Sequence, residues 1–280
     1  MSRTQRLGHE TRVQLFAPRH RRETSQKRGS PKMCPMAQVN PANVAGAHHG
    51  VRDEVIARVV AKGVAKATAE ELLDDAPEPW WESTSVSGLA NDLVLLAPGL
   101  GPDEVRIRIL PGASNWELSV VAADRPGLLA TTAGVLADNA LSIDDARIAT
   151  WKNHGLALQR LRVSSRELTS SSEPDFPFIG QDLRSALATP RSRPDGAGFP
   201  DGCAIRSVVN VGQRRWRVEV EARDEIGLLS RVASALHALG ANVLAADVHS
   251  EGHRALDTFL VELDDEASLR LLRALASSNC

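Results

Sequence analysis

The sequence predicts an α+β protein with two tandem βαββα sandwiches, preceded by a small helical segment and a disordered N-terminal tail. The main observation is a repeat: Trp116–Leu129 returns one hundred positions later as Trp216–Leu229. Each copy has the pattern of a strand, a glycine-containing turn and a helix. A chain of 280 residues with 42% hydrophobic residues has room for two small domains with packed cores.

Charge is distributed unevenly along the chain. Residues 1–45 contain nine Lys/Arg against two acidic residues, while the rest contains 24 Lys/Arg against 33 Asp/Glu. The folded part is therefore acidic, and we expect no nucleic-acid partner, since such binding depends on basic surfaces that release counterions. The tail could be a basic arm for nucleic acid or a membrane surface, but an unstructured tail is the favoured interpretation.

The three cysteines, Cys34, Cys203 and Cys280, are too scattered for a metal site and leave one thiol unpaired in any disulfide scheme. This favours a reducing, cytoplasmic location. No apolar run approaches the ~20 residues of a membrane helix, and the basic N-terminus lacks the apolar core of a secretory signal. We expect no membrane association, no metal and no cofactor.

The predicted organisation has five parts: a disordered basic tail at 1–50, a helical linker segment at 51–97, a first sandwich at 103–188, a flexible linker at 189–202 and a second sandwich at 203–280. Apolar spacing predicts one helix from Val51 to about Leu73 and a second over Ser85–Leu96. Trp80-Trp81 could stack on a ligand, but apolar partners on both sides favour pinning these helices to a neighbouring domain. His48-His49 lacks an acidic partner, so we expect it to be solvent-exposed.

Within each repeat the predicted elements follow the same order. They are strands Val105–Leu110 and Trp116–Ala123, helix Leu128–Asn139, strands Leu141–Thr150 and Leu156–Val163, and helix Ile179–Ala188; then Ile205–Val211, Trp216–Arg223, Leu228–Leu239, Ala241–Ser250, Leu256–Leu263 and Ala267–Ala276. Asn153 and Gly155 are expected to supply positive φ in the first hairpin turn.

This order matches a ferredoxin-like sandwich, except that no strand follows the last helix. A leading hairpin solves the problem, because it places its first strand in the slot that a fourth strand would fill. We therefore predict that Val105–Leu110 and Ile205–Val211 each complete the sheet of their own repeat. Sheet edges often pair between domains, so we also expect the two repeats to pair within the chain, and a homodimer is a further option.

The turn after the second strand of each repeat is the candidate ligand site. Its glycine allows close backbone approach, and the following helix N-terminus suits a carboxylate. Asp124 could accept from an ammonium group or cap the helix. These groups together would bind an amino acid, although a purely architectural role explains the same residues. The candidate residues are Asp124, Arg125, Pro126, Gly127, Leu128 and Leu129 with Ser142 and Ile143, and Asp224, Glu225, Ile226, Gly227 and Leu228 with Asn242 and Val243.

These motifs resemble the ACT domain, a small-ligand sensor of allosteric enzymes in amino-acid metabolism. The signature pieces are Asp124-Arg-Pro-Gly-Leu-Leu129, Leu141-Ser-Ile143 and Gly155-Leu-Ala-Leu158, and in the second copy Asp224-Glu-Ile-Gly-Leu-Leu229, Ala241-Asn-Val243 and Ala255-Leu-Asp-Thr-Phe259. The tandem pair is most similar to the C-terminal region of bacterial PII uridylyltransferases. The resemblance implies two ACT sandwiches and regulation by a free amino acid, glutamine among the candidates, acting on a regulated protein partner.

The second turn departs from the family pattern, because Glu225-Ile226 stands where Arg-Pro is favoured. Glu225 adds negative charge near a site for a carboxylate, so the first copy is the better candidate for a ligand. Ser142 replaces a frequent asparagine that Asn242 retains, and Gln159 stands where Asp257 keeps the favoured aspartate.

No catalytic residue is predicted. The chain lacks a Gly-Gly…Asp-x-Asp nucleotidyltransferase motif, an adjacent His-Asp pair and a Gly-x-Ser-x-Gly motif. We expect a regulatory module without its own enzyme. The alternatives are a diverged or partial PII uridylyltransferase, a purely structural, dimerising ACT pair, and, last, an RNA-binding domain, which the scarcity of aromatic residues on the strands disfavours.

Overall fold

The computed structural model describes residues 49–81, 84–97, 99–101, 103–112, 114–165, 174–189, 198–212, 214–263 and 266–277. The predicted tail, apart from its last residues, lies outside the described residues. So does most of the predicted linker at 189–202.

Eight helices and eight strands make up the described part of the chain. The helices are α1 His49–Ala61, α2 Lys66–Asp74, α3 Glu78–Trp81, α4 Val86–Leu96, α5 Leu128–Asp138, α6 Phe176–Ala188, α7 Leu228–Ala238 and α8 Glu266–Ser277. The strands are β1 Arg106–Pro111, β2 Trp116–Ala123, β3 Leu141–Trp151, β4 Leu156–Ser165, β5 Ala204–Gly212, β6 Arg215–Arg223, β7 Asn242–Glu251 and β8 Arg254–Glu262. All predicted elements of the two repeats are present, with ends shifted by a few residues.

All eight strands form one antiparallel sheet in the order β1-β2-β4-β3-β7-β8-β6-β5. β1 pairs with β2, and β5 pairs with β6, so each leading strand completes the sheet of its own repeat as predicted. The repeats join through β3 and β7, whose register runs from Asp145 opposite His249 to Ala149 opposite Ala245. The predicted pairing of the two repeats within one chain is therefore confirmed.

Helices α5, α6, α7 and α8 pack on one face of the sheet. Helices α5 and α7, the first helix of each repeat, contact one another across the junction of the repeats. A single apolar core runs beneath them and includes Leu118 and Leu136 of the first repeat and Val218 and Phe259 of the second. The two repeats therefore share one apolar core. The turn before α5 lies close to the second repeat, and the turn before α7 lies close to the first.

The helical segment α1–α4 covers the opposite face of the first repeat only. Its core includes Val59, Leu93 and Trp80 together with Val121 and Leu158 of the sheet. Burial of this apolar surface is the main stabilising contribution to the attachment of the segment.

One prediction about this segment is wrong. The single helix expected over Val51–Leu73 is divided into α1 and α2, with a break between Ala61 and Lys66. Gly63 in the break has φ +92°, a conformation that only glycine adopts without strain. The break lets both helices direct apolar residues at the same core.

The tryptophan pair pins the helical segment to the first repeat, as predicted. Trp80 is 2% exposed and packs edge-on against Trp151 of β3, with ring centroids 5.4 Å apart. The Trp151 indole donates to the Leu72 carbonyl over 2.9 Å. Trp80 in turn donates to the carboxylate of Asp92, a fully buried residue of α4.

Turn geometry differs from the prediction in one respect. Of the two residues expected to supply positive φ in the turn between β3 and β4, only Gly155 does so, with φ +62°. Asn153 keeps a negative φ, and its backbone amide donates to the Asp75 carboxylate over 2.9 Å. The turn is therefore anchored by the helical segment as well as by its own backbone.

Candidate ligand site

The two candidate turns have nearly identical backbones. Gly127 and Gly227 each precede a helix with φ +81° and ψ close to 0°, the left-handed conformation expected for glycine. The amide of Asp124 donates to the Gly155 carbonyl over 2.8 Å, and that of Asp224 donates to the His253 carbonyl over 2.9 Å. Each turn is thus tied to the hairpin of its own repeat.

The first turn opens onto a cleft that the second repeat completes. It spans about 330 Å³, space open to solvent included. The lining residues are Asp124, Arg125, Gly127, Leu128, Leu129, Ala130, Ile148, Ala157 and Gln159 of the first repeat, and Ala233, His237, Ala241, Asn242 and Val243 of the second. We call this the first cleft. The structure brings most of the predicted first-turn residues together with Asn242 and Val243, which belong to the other copy.

Asn242 closes the first cleft from across the repeat junction. Its side-chain amide donates to the Asp124 carboxylate over 3.3 Å. Burial raises the pKa of Asp124, and the hydrogen bond from Asn242 and the charge of Lys152 partly offset that rise. Asp124 also accepts a hydrogen bond from the Arg125 backbone, and it is therefore a partly desolvated acceptor in the wall of the cleft.

Arg125 anchors the first turn to the last helix of its repeat. The guanidinium of Arg125 donates to the Leu187 carbonyl in the last turn of α6, where a cation interacts favourably with the helix dipole. Pro126 is exposed and does not line the cleft. Arg125 thus has a structural partner in addition to its place in the cleft wall.

His237 is the unexpected member of the first cleft. It is 6% exposed, lies in the last turn of α7 and sits against Gly127. A Cβ on residue 127 would come within 2.6 Å of the imidazole Nδ1. The glycine is therefore required both by its backbone conformation and by the ring beside it.

The second turn faces a matching cleft of about 340 Å³, space open to solvent included. Its lining residues are Ala133, Leu141 and Ile143 of the first repeat, and Asp224, Glu225, Gly227, Leu228, Leu229, Ser230, Val248, Ser250, Ala255 and Asp257 of the second. We call this the second cleft. Ile226 does not line it, and the predicted Ser142 is buried without lining either cleft.

The two clefts contain equivalent buried acceptors. Gln159 lies opposite Val120 in the sheet, and Asp257 lies opposite Val220, so both occupy the same point of their repeats. Gln159 is 1% exposed and Asp257 is 3% exposed. In each, one side-chain oxygen, Oε1 of Gln159 and Oδ1 of Asp257, has no hydrogen-bond partner among the described residues. A buried oxygen without a donor is costly, and such groups are commonly functional.

Asp257 has the strongest electrostatic perturbation among the carboxyl groups of the clefts. Burial, with the nearby charges of Asp224 and Asp247, raises its pKa to about 7, although a hydrogen bond from the His249 backbone opposes the rise. Glu225, by contrast, is exposed and forms an ion pair with Arg231 of α7. The excess negative charge that Glu225 was expected to add is therefore largely balanced, and Asp257 dominates the chemistry of this cleft.

The predicted site residues did not include His237, Gln159 or Asp257, although the family pattern had pointed to positions 159 and 257. The inward positions of β8 are Ala255, Asp257, Phe259 and Val261, all buried. A carboxylate within this apolar alternation is a recognisable signal of a special site. His237 carries a weaker signal, a polar residue at the point where the first copy has Ala137.

The described residues contain no group of three or more His, Cys, Asp or Glu side chains arranged to hold a metal ion. No helix in the described part of the chain is long and apolar enough to cross a membrane.

Comparison with known proteins shows which family the second repeat is similar to. Residues 216–277 match the family model of the ACT domain. The match covers most of the second repeat, and the first repeat has the same element order and the same turn. The predicted resemblance to a tandem ACT protein is confirmed.

The chain is similar to the C-terminal region of bifunctional uridylyltransferase/uridylyl-removing enzymes. It is 31% identical to that of Gluconobacter oxydans over 174 residues, which cover 57% of this chain and 18% of the relative. It is 27% identical to that of Bordetella pertussis over 214 residues, which cover 68% of this chain and 25% of the relative. The chain thus spans a quarter or less of these relatives. A crystal structure of aspartate kinase from Synechocystis aligns with 59% of this chain at 16% identity, with a TM-score of 0.37.

Proposed function

We propose that this chain is a regulatory module that binds a free amino acid in the first cleft, between its two ACT repeats. The observation that carries the proposal is the construction of that cleft. Its acceptors, Asp124 and Gln159, come from one repeat, and Asn242 and His237 come from the other. A ligand held there touches both repeats, as a sensor of domain arrangement requires.

The groups in the first cleft complement a zwitterion. The Asp124 carboxylate and the unpartnered Gln159 oxygen can accept from an α-ammonium group. The N-terminus of α5 offers amides without intrahelical partners and a partial positive charge, both of which favour a carboxylate. Apolar side chains such as Ile148 and Val243 would contact the rest of the ligand.

Binding would act on the junction between the repeats. The present cleft is narrow, so a ligand would displace or reorder the turn at Gly127 relative to His237 of α7. Since α7 packs on α5 and β7 pairs with β3, a shift there changes how the two repeats sit against each other. A ligand can shift this equilibrium only by its difference in affinity for the two arrangements.

A thermal-shift screen against the proteinogenic amino acids tests the proposal. Wild-type protein should show a higher melting temperature with at least one amino acid at millimolar concentration, by mass action. Gln159→Leu should abolish that increase, because leucine fills the same volume but offers no acceptor. The protein without ligand should remain folded, since the substitution also removes an unpartnered buried oxygen.

Substitutions at two equivalent positions, Asn242 at the start of β7 and Ser142 near the start of β3, provide a controlled test of binding. Asn242→Ala removes the donor to Asp124 and should weaken binding about tenfold, as expected for loss of one hydrogen bond to a charged group. Ser142→Ala changes the equivalent residue of the other repeat, which lines neither cleft, and should leave binding unchanged. A screen without any stabilising amino acid would instead favour a purely structural ACT pair.

A second candidate function follows from the relatives alone. The similarity to bifunctional uridylyltransferase/uridylyl-removing enzymes suggests that the module regulates, or forms part of, such an enzyme. Adding the purified chain to a uridylyltransferase of that class, with and without amino acids, would test this. A change in uridylyl transfer that depends on the amino acid would support the idea, and no change would count against it.

A further inference from the structure

We propose that the second cleft binds a different ligand class from the first, a small protonated amine that carries no carboxylate. The inference rests on the proposed function only in taking the two equivalent clefts as ligand sites. It makes the tandem pair a receptor for two chemically distinct signals.

The first support is the buried carboxylate of Asp257. The residue is 3% exposed, lines the cleft, and its Oδ1 has no hydrogen-bond partner. A carboxylate held in an apolar surround without a donor is unfavourable unless a cation or a donor joins it. The equivalent point of the first cleft is occupied by the neutral Gln159, so the two clefts differ in charge at this point.

The second support is the charge of the two linings. The first cleft is lined by one carboxylate, Asp124, and one guanidinium, Arg125. Three carboxylates, those of Asp224, Glu225 and Asp257, line the second cleft, and none of its described lining residues is a lysine or arginine. Arg231 lies outside the lining and pairs with Glu225. A ligand carboxylate would therefore be repelled by Asp257, whereas an ammonium group would be attracted.

The walls around these carboxylates are apolar. Leu141 and Ile143 come from β3 of the first repeat, and Leu228 and Val248 from the second. Such walls suit a short branched alkyl group beside the ammonium. An inorganic cation would bind weakly here, because it prefers several oxygen ligands or its own hydration shell.

The groups facing Asp257 make amine binding dependent on pH. Burial, together with the charges of Asp224 after β6 and Asp247 on β7, raises the pKa of Asp257 to about 7. Burial, together with the charge of Asp257, also raises the pKa of the Cys203 thiol, which lies before β5. The cleft residues from α5, α7 and β3 are uncharged. A bound ammonium stabilises ionised Asp257, so binding near neutral pH releases a proton and strengthens as the pH rises.

The test uses isobutylammonium and valine, which share one alkyl group and differ by the carboxylate. Calorimetric titration of the full chain at about pH 7.5 should show isobutylammonium binding at least about tenfold tighter than valine at this cleft. At about pH 6.5, titrations in two buffers of different ionisation enthalpy should show release of about half a proton or more per amine bound. Amide NMR should place the shifts at the start of α7, around Leu228 and Ser230.

Asp257→Asn is the decisive variant, because it keeps the size of the side chain and removes its charge. It should weaken isobutylammonium binding at least about tenfold and abolish the proton release. Glu251→Gln removes an exposed carboxylate at the end of β7, outside the cleft lining, and should leave binding within about twofold. Circular dichroism of both variants would confirm that the fold is retained.

Three outcomes would overturn the inference: no binding of isobutylammonium at millimolar concentration, binding that Asp257→Asn leaves unchanged, or tighter binding of valine at the second cleft. Each is distinguishable from failure of the proposed function. Amino-acid binding at the first cleft is reported separately by Gln159→Leu, so either site can fail while the other is retained.

Discussion

Gly127 lies directly against the imidazole of His237, a residue of the other repeat, and a Cβ at position 127 would approach Nδ1 to 2.6 Å. The equivalent Gly227 has more room, since a Cβ there would lie 3.5 Å from Ala137. The two glycines share φ +81°, so they differ only in what surrounds them.

The same substitution at Gly127 and at Gly227 should therefore lower the free energy of unfolding by different amounts. Both Gly127→Ala and Gly227→Ala should lose about 1 kcal/mol from the left-handed backbone. Gly127→Ala should lose a further ~1–3 kcal/mol, because the imidazole must move in a packed environment. Urea unfolding of the two variants measures the difference.

The double variant Gly127→Ala/His237→Ala is the control for this prediction. It should cost less than the sum of its single substitutions, since removing the ring makes room for the new methyl group. Equal destabilisation by the two glycine substitutions would show that His237 does not constrain the first turn.

Asp257 predicts a characteristic pH dependence of stability. Its pKa is about 7 in the folded state, against about 3.9 for an aspartate in an unfolded chain. Between these values the folded state binds the extra proton, so this group's contribution to stability is fully present below about pH 4 and lost as the pH rises to about 7. The free energy of unfolding of Asp257→Asn should depend less on pH than that of the wild type. Between about pH 4.5 and pH 8, the variant's unfolding free energy should rise relative to wild type by a few kcal/mol, on the order of 1.4 kcal/mol per pKa unit. A constant difference across that range would contradict a raised pKa.

Gln159 predicts a gain in stability at the expense of binding. Its Oε1 is buried without a partner, so Gln159→Leu should raise the free energy of unfolding by about 1 kcal/mol in the absence of ligand. Denaturant titration with and without the stabilising amino acid would show both effects. A large loss of stability would mean that the amide has an essential structural partner.

Removing the charge of Asp92 should lower the free energy of unfolding by a large amount. Asp92 is fully buried in α4 and interacts with Arg160 of β4, with Arg108 of β1 at 3.3 Å and with the Trp80 indole at 3.0 Å. Asp92→Ala leaves a buried guanidinium without its carboxylate, which should cost about 3–5 kcal/mol.

The exposed pair Glu54–Arg58 of α1 is the matched control for Asp92. Glu54→Ala should cost only about 0.5 kcal/mol, because exposed ion pairs contribute little. If the two substitutions had similar effects on the unfolding free energy, the buried Asp92 cluster would contribute no more to stability than an exposed ion pair does.

Much of the fold could be predicted because its signals are local. The strand–turn–helix repeat, the positive φ of Gly155 and the leading strands of both sheets follow from periodicity and turn chemistry. The break at Gly63 could not be predicted with the same assurance, since the apolar spacing continues from α1 into α2 and a glycine can be tolerated inside a helix.

The composition of the clefts depends on long-range pairing, which sequence alone does not determine. Asn242 meets Asp124 only because β3 pairs with β7 and α5 packs on α7. Ser142 and Asn242 looked equivalent in the two copies, yet only Asn242 lines a cleft. The buried acceptors Gln159 and Asp257 became recognisable as site residues once their strands were placed beside the turns.

Amide NMR of the labelled chain during titration with the amino acid that most raises its melting temperature tests the central claim most directly. The account predicts shifts at Gly127 and Leu128 in one repeat and at His237 and Asn242 in the other, all saturating with one dissociation constant. Shifts confined to one repeat, or absent from both, would contradict an amino-acid site built between the two repeats.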